Sequence, residues 1–218
     1  MAERQSEDAL RCGIVDAGRA MEASGLSPQR SGNISARFEG GMLITPSGAA
    51  CGKIAAGEIV AMSLDGAVAA GAAKPSSEWR MHAGIYGARP DVHAIVHVHS
   101  DHATTLAVMK RPIPALHYMV AVLGGSDIRC APYATFGTAE LAAHAVAALE
   151  GRKACLLAHH GQIAVGATIE EALRLAHEVE TLAGQYWRAL QIGEPELLDE
   201  AEMARVAEAF KTYGRQGD

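Results

Sequence analysis

Ala94-Ile-Val-His97-Val-His99-Ser100 sets two imidazoles two residues apart in an otherwise apolar run. In a β-strand successive side chains point to opposite faces. Val96 and Val98 then share an apolar face, and His97 and His99 share the other. Paired imidazoles form half of a metal site, because zinc takes three or four N, O or S ligands and a catalytic zinc keeps one position open. A fold built on this strand must bury its valine side and bring further ligands to the histidine side.

The rest of the chain can supply that burial. Its 218 residues are 49% hydrophobic, enough for one core and one domain over residues 1–218. Net charge is −6, from 19 basic and 25 acidic residues, with no basic block, which argues against nucleic acid as a partner. Anionic metabolites remain compatible, since local groups bind them. No apolar run reaches about 18 residues, so no membrane span is expected. The polar, acidic start Met1-Ala-Glu-Arg-Gln-Ser-Glu-Asp8 does not read as a signal peptide. Cys12, Cys51, Cys130 and Cys155 are scattered without a Cys-x-x-Cys. These features predict a cytoplasmic protein with reduced thiols.

Leu10, Ile14, Ala17 and Met21 recur at helical spacing between Ser6 and Ala23, with Gly25 as a stop. Ser31–Phe38 and Met42–Thr45 flank Glu39-Gly40-Gly41 as a hairpin. A second β region is expected at Ile59–Ser63 and Ala67–Ala70, joined at Asp65-Gly66. Ser76 or Ser77 can cap a helix running from Trp79 to Ala88, ended at Arg89-Pro90. After the histidine strand, Asp101 starts a helix to Met109, and Leu116–Leu123 reads as strand or helix. Thr138 caps a helix stopped at Gly151. Ala154–Ala158 is a buried strand ending in His159-His160-Gly161, with Gln162–Val165 as its partner. Thr168-x-x-Glu171 is a capping box for a long amphipathic helix to about Leu190, and Asp199-x-x-Glu202 opens a last helix to about Lys211. Hairpins alternating with single helices predict a mixed sheet covered by helices.

Three clusters carry chemistry. The turn at His159-His160-Gly161 can aim one imidazole, by alternation only one, at His97 and His99. Glu78 stands at a helix start, where the dipole favours a carboxylate that could bind a metal or take a proton. Ser76 and Ser77, with free N–H groups there, suit phosphate. Gly32-Asn33 and Pro46-Ser47-Gly48 are two further turns rich in donors. Together these residues imply a metal-dependent enzyme acting on a small phosphorylated or anionic substrate.

A family resemblance rests on several of these segments and some others. They are Ser31-Gly-Asn-Ile-Ser35, Met42–Gly48, Lys74-Pro-Ser-Ser-Glu-Trp-Arg80, His97-Val-His99, Ile113–Met119, Ala131–Thr138, His159-His-Gly161, Leu175–Glu180 and Phe210–Gly214. In this order, from about Gly25 to Tyr213, the chain resembles the L-fuculose-1-phosphate aldolases of the class II aldolase/adducin superfamily. The resemblance implies a three-layer α/β/α domain with a central mixed, largely antiparallel sheet. It also implies a homotetramer with active sites between subunits. Zn2+, one per subunit, would be held by His97, His99 and His160, the histidine directly before the glycine, with Glu78 as fourth ligand. Gly32, Asn33, Ser47, Gly48, Ser76 and Ser77 would hold the substrate phosphate. Tyr118 and Tyr213 would reach a neighbouring subunit's site, and Phe136 would line it.

The implied reaction is reversible cleavage of L-fuculose 1-phosphate, or a similar ketose 1-phosphate, to dihydroxyacetone phosphate and an aldehyde such as L-lactaldehyde. Glu78 would shuttle a proton, and Tyr118 would exchange one with the aldehyde oxygen. A metal acting as Lewis acid removes the need for a Schiff-base lysine. Related enzymes cleave 5-deoxyribulose or 5-methylthioribulose 1-phosphate, while a pentulose-phosphate 4-epimerase and a methylthioribulose-1-phosphate dehydratase share the fold. Gln29-Arg30 departs from the smaller residues expected there, so Arg30 adds a phosphate contact or faces solvent.

Overall fold

The computed structural model describes residues 5–28 and 31–213. Helix α1 (Glu7–Ala23) starts at Ser6, whose hydroxyl accepts from the Ala9 N–H at 3.2 Å. Strands β1 (Gly32–Phe38) and β2 (Gly41–Ile44) form a hairpin through Glu39 and Gly40. Both turn residues have positive φ, 44° and 78°, the geometry that matches strand twist in a two-residue hairpin. Then come β3 (Val60–Met62), α2 (Trp79–Ala88), β4 (Ala94–Val98), α3 (Asp101–Val108) and β5 (Cys130–Ala131). The chain continues through α4 (Ala139–Ala148), β6 (Ala154–Leu157), β7 (Gly161–Gly166), α5 (Ile169–Ile192) and α6 (Glu200–Phe210).

Thr138, Thr168 and Asp199 cap their helices through side-chain oxygens that accept from Leu141, Glu171 and Glu202 N–H groups. At α5 the Glu171 carboxylate reaches one residue beyond the capping-box position, to the Ala167 N–H at 2.7 Å. Two expectations need correction and one open alternative is settled. Ala67–Ala70 forms no strand, and Val68 alone bridges to Met62, because the stretch is exposed and brings little to bury. Leu116–Leu123 becomes a 3-10 helix over Tyr118–Leu123. Ser76 and Ser77 do not cap α2; Glu78 occupies that position without a capping bond of its own.

The seven strands run in the order β3-β2-β1-β4-β7-β6-β5, antiparallel except for the β5–β6 pair. β4 lies at the centre, paired with β1 and β7. Ala94, Val96 and Val98 pack with α1, α3 and α5, while Ile95 packs with α2 and α4 on the opposite side. The histidine face is therefore roofed by helices as completely as the valine face. Every β4 residue is buried, and the result is a three-layer α/β/α architecture. No helix among the described residues is long and apolar enough to cross a membrane.

Because β4 is buried on both sides, truncating it leaves a cavity that neither layer can close. Ile95→Ala, at a fully buried position, should lower unfolding free energy by about 2–5 kcal/mol. Ile192→Ala, at a site 93% exposed, should stay within about 0.5 kcal/mol. Denaturant midpoints at unchanged slope measure both.

Candidate metal centre

His97 leaves β4 toward α2 and is fully buried. Its Nδ1 donates to the Gln162 backbone carbonyl on β7 at 2.8 Å, which fixes the tautomer and leaves the Nε2 lone pair free. His99 follows just past the strand end, opposite Gly161. A Cβ on Gly161 would lie 2.4 Å from the Val98 carbonyl oxygen and 2.9 Å from His99 Cδ2, so only glycine lets β7 approach this ring. The β6–β7 turn then reverses through His159, whose φ is +56°. That left-handed step separates the two neighbours. His160 turns toward His97 and His99, whereas the exposed His159 sits edge-on to Tyr133 at 5.9 Å.

Glu78 enters from the start of α2. The structure gathers Glu78, His97, His99 and His160 so that one ligand atom from each lies within 4.8 Å of the others. His97 Nε2 is 3.0 Å from His99 Nε2 and 3.1 Å from Glu78 Oε2, and His160 Nε2 is 3.2 Å from Glu78 Oε1. A tetrahedron with Zn–N bonds of about 2.0–2.1 Å has edges of about 3.3–3.4 Å, close to these spacings. Glu78 Oε1 is buried without a hydrogen-bond donor, and the His97 Nε2 lone pair points at another ring nitrogen. A divalent cation would satisfy all of them, so the donor set fits a metal.

Charge follows the same logic. Burial pushes the Glu78 carboxyl up, but His97 and His160 outweigh it and hold the group well below the usual carboxylate range. Burial lowers His97, yet Glu78 raises it further, for a net rise. Burial, reinforced by the neighbouring imidazoles, takes His99 down to about 3, so this ring stays neutral and its lone pair available.

Beside the cluster lies a cavity of about 180 Å³ that reaches Glu78 and His99. Its walls include Gly32, Asn33, Ser47, Gly48, Ser76 and Ser77. Two backbone bonds hold these loops together, Ser47 N–H to Lys74 O at 2.9 Å and Ser76 N–H to Thr45 O at 3.0 Å. Gly32, at φ +119°, leaves no room for a Cβ, which would lie 2.5 Å from the His97 carbonyl oxygen. Among the described residues the cavity's walls carry serine hydroxyls and an amide and no lysine or arginine, a polar lining of the kind that can receive an anion. A second cavity of about 490 Å³ opens on the other side of His99, toward Asp101, Thr105, Val108 and Met109.

Tyr118, Phe136 and Tyr213 are exposed at 49%, 64% and 81%. Phe136 lines neither cavity, although its neighbour Gly137 approaches the carbonyl of the lining residue Ser77 closely. Tyr118 and Tyr213 line neither cavity; they flank Phe210 in an aromatic cluster on the surface. Arg30 lies outside the described residues. The sequence reading missed Gln162, which acts through its backbone carbonyl and so leaves no side-chain signal. It also missed His82, which hydrogen-bonds Asn33 and stands four residues after Glu78, on the same helical face.

A covered mixed sheet with a buried three-imidazole, one-carboxylate cluster beside a polar cavity is the framework of an enzyme active site. The model of the class II aldolase and adducin N-terminal domain matches residues 12–187, and the chain belongs to that family as one of its aldolases. It is 56% identical to the 5-methylthioribulose-1-phosphate/5-deoxyribulose-1-phosphate aldolase of Rhodospirillum rubrum, over 96% of this chain and 94% of that one. It is 50% identical to an L-fuculose phosphate aldolase of Escherichia coli, over 92% and 94%. A solved L-fuculose 1-phosphate aldolase superposes with a TM-score of 0.90 at 40% identity, covering 97% of this chain and all of the other.

The two adjacent histidines separate ligand from bystander. His160→Ala should strip the purified protein of most of its bound metal, whereas His159→Ala should retain it, as read by elemental analysis after desalting.

Proposed function

We propose that this chain is a zinc-dependent ketose-1-phosphate aldolase, cleaving its substrate to dihydroxyacetone phosphate and an aldehyde. One observation carries the reading: the four-ligand cluster and the phosphate-sized cradle share Glu78 and His99. A ketose bound by its C1 phosphate in the cradle thus brings its carbonyl and adjacent hydroxyl to the ligands. Bound there, a divalent metal supplies Lewis-acid stabilisation of the negative charge that develops as the carbon–carbon bond breaks.

The protein's own groups do the rest. Backbone N–H groups around Gly32 and Gly48, with the Ser47, Ser76 and Ser77 hydroxyls, hold the phosphate. The Asn33 amide donates to Glu78 Oε2 at 2.9 Å and so orients the carboxylate beside the cradle. Glu78, anionic in this setting, exchanges the proton at the carbon left with the electron pair. Tyr118 of a neighbouring copy exchanges a proton with the substrate oxygen that becomes the aldehyde. Tyr213 and Phe136 wall the aldehyde end. We infer a homotetramer with sites between subunits, because the phenols on this chain lie outside its own cavities.

The relatives divide between two substrate types, 5-methylthio- or 5-deoxyribulose 1-phosphate and L-fuculose phosphate. In all three substrates the far carbon is apolar, which suits the Val108 and Met109 side of the larger cavity. The higher identity of the first type makes it our preferred substrate class. A 4-epimerase would regenerate a pentulose phosphate and release no dihydroxyacetone phosphate.

Coupled detection of dihydroxyacetone phosphate from a panel of ketose 1-phosphates should show release, highest with the 5-deoxy or 5-methylthio pentulose. Glu78→Gln should keep the fold and much of the metal but lose cleavage by about a hundredfold or more. Silence across the whole panel from metal-loaded protein would rule out the reading.

Shared sites make a separate prediction. Glu78→Gln and Tyr118→Phe are each impaired alone, but co-expressed in equal amounts they should recover about a quarter of wild-type activity, since randomly mixed rings regenerate some sites with both native residues. No recovery would place Tyr118 and Glu78 in the same subunit's site.

A further inference from the structure

Glu78, His82 and Tyr86 recur every four residues and share one face at α2. Asn33, Ser35 and Arg37 recur every two residues and share one face of β1. The two stripes meet in a continuous hydrogen-bonded chain. Asn33 Nδ2 donates to Glu78 Oε2 at 2.9 Å, and Asn33 Oδ1 is 2.5 Å from His82 Nε2. His82 Nδ1 is 2.7 Å from Ser35 Oγ, and Ser35 Oγ is 2.8 Å from the Tyr86 hydroxyl. Arg37 closes the far end, donating to the Tyr86 carbonyl at 2.8 Å with its guanidinium 4.8 Å from the ring centroid. Asn33, Ser35, His82 and Tyr86 are all buried.

The protons in this chain have one consistent order. An Asn33 carbonyl turned toward Glu78 would oppose a carboxylate, so the NH2 faces Glu78 and Oδ1 faces His82. His82 Nε2 therefore carries the ring proton and donates to Asn33. Burial pushes His82 down to about 3, and with Nε2 donating to Asn33 the Nδ1 atom is left to accept. Ser35 spends its one proton on Nδ1, and Tyr86 donates to Ser35. Each group is committed in one direction, and the sequence ends on the carboxylate. If this site needed only packing, an apolar side chain at position 82 would match its neighbours Met81 and Ile85, which lie in the core between the sheet and α2.

We propose that His82, backed by Ser35 and Tyr86, is a positioning residue that locks the Asn33 amide with its N–H toward Glu78, and thereby holds the carboxylate in line for proton transfer. The proposal rests on the aldolase reading above. Asn33 belongs to both the cradle and this chain, so His82 fixes the carboxylate relative to the bound phosphate without touching substrate itself.

Full-length, zinc-loaded protein tests this with two substitutions. His82→Phe fills the ring's space and removes the donor, whereas His82→Gln places an amide N–H about where Nε2 stands. With metal content unchanged, His82→Phe should lose about tenfold or more in kcat with KM within about threefold, and His82→Gln should recover most of the loss. Any of three results overturns the role: kcat unchanged in His82→Phe, equal loss in both variants, or metal lost in step with activity. If His82→Phe does not fold, Tyr86→Phe decides, because it keeps the ring packing and deletes only the last donor. A kcat lowered about threefold at full metal content supports the relay, and a wild-type kcat overturns it. Wild-type protein that releases no dihydroxyacetone phosphate overturns the aldolase reading and this inference together. An active wild type with an unaffected His82→Phe overturns this inference alone.

Discussion

A carboxylate taken out of water among three imidazoles is stable only when positive charge sits beside it, and this fold is arranged around meeting that condition. Glu78 is 7% exposed and His97 is fully buried. An unpaired carboxylate at such a position would be neutralised or would disrupt the layer. A cation shared by four ligands removes the conflict. It also explains why the histidine face of β4 is roofed by helices, since covering the cluster strengthens every electrostatic interaction within it. The same roof supplies Glu78, which leads into a helix packed over the central strands, and the sheet supplies two of the imidazoles at a strand's end. Site and core are therefore built from the same contacts.

Much of this was legible in the chain because alternation is a property of the backbone. His97 and His99 at spacing two, on a run of Val and Ile, need only a strand to become neighbours. Gly161 marked the other half of the cluster, since glycine after a histidine pair signals a close approach that a Cβ would forbid. The walls of the smaller cavity were legible for a similar reason: Gly32, Gly48 and their serines are turn residues, and turns gathered at strand ends meet there.

The remainder was not legible, for physical reasons that differ from residue to residue. Ser76 and Ser77 have the composition of caps, but Glu78 takes the N-cap position, the Ser76 hydroxyl accepts from the Glu78 N–H instead, and both serines line the cavity. Ala67–Ala70 has alternation without bulk, and a strand with nothing to bury does not form. Leu116–Leu123 is apolar at a length that suits either element, and packing against α5 and α6 decides for a 3-10 helix. Gln162 fixes His97 through a backbone carbonyl, which every residue has. His82 did leave a pattern, a polar stripe at spacing four, but it acquires meaning only when the matching stripe on β1 is laid against it.

The same chain divides its chemistry by what each part must tolerate. The proposed metal ligands and phosphate donors sit on the central strands and the loops tied to them. Tyr118 on the 3-10 helix stacks on Phe210 at the end of α6, Tyr213 just beyond sits edge-on to the same ring, and both tyrosines are exposed. In the proposed assembly those aromatics close a neighbour's cavity against the aldehyde. The cradle and cluster then recognise what every ketose 1-phosphate shares, while the far carbon meets loops and a second subunit. Relatives of different substrate type can keep one buried core under this division, since a change of aldehyde alters only surfaces that contribute little to folding. A phenol delivered by a neighbour also ties activity to association. An isolated chain would hold metal and phosphate but lack the proton carrier at the aldehyde oxygen, and would release little product.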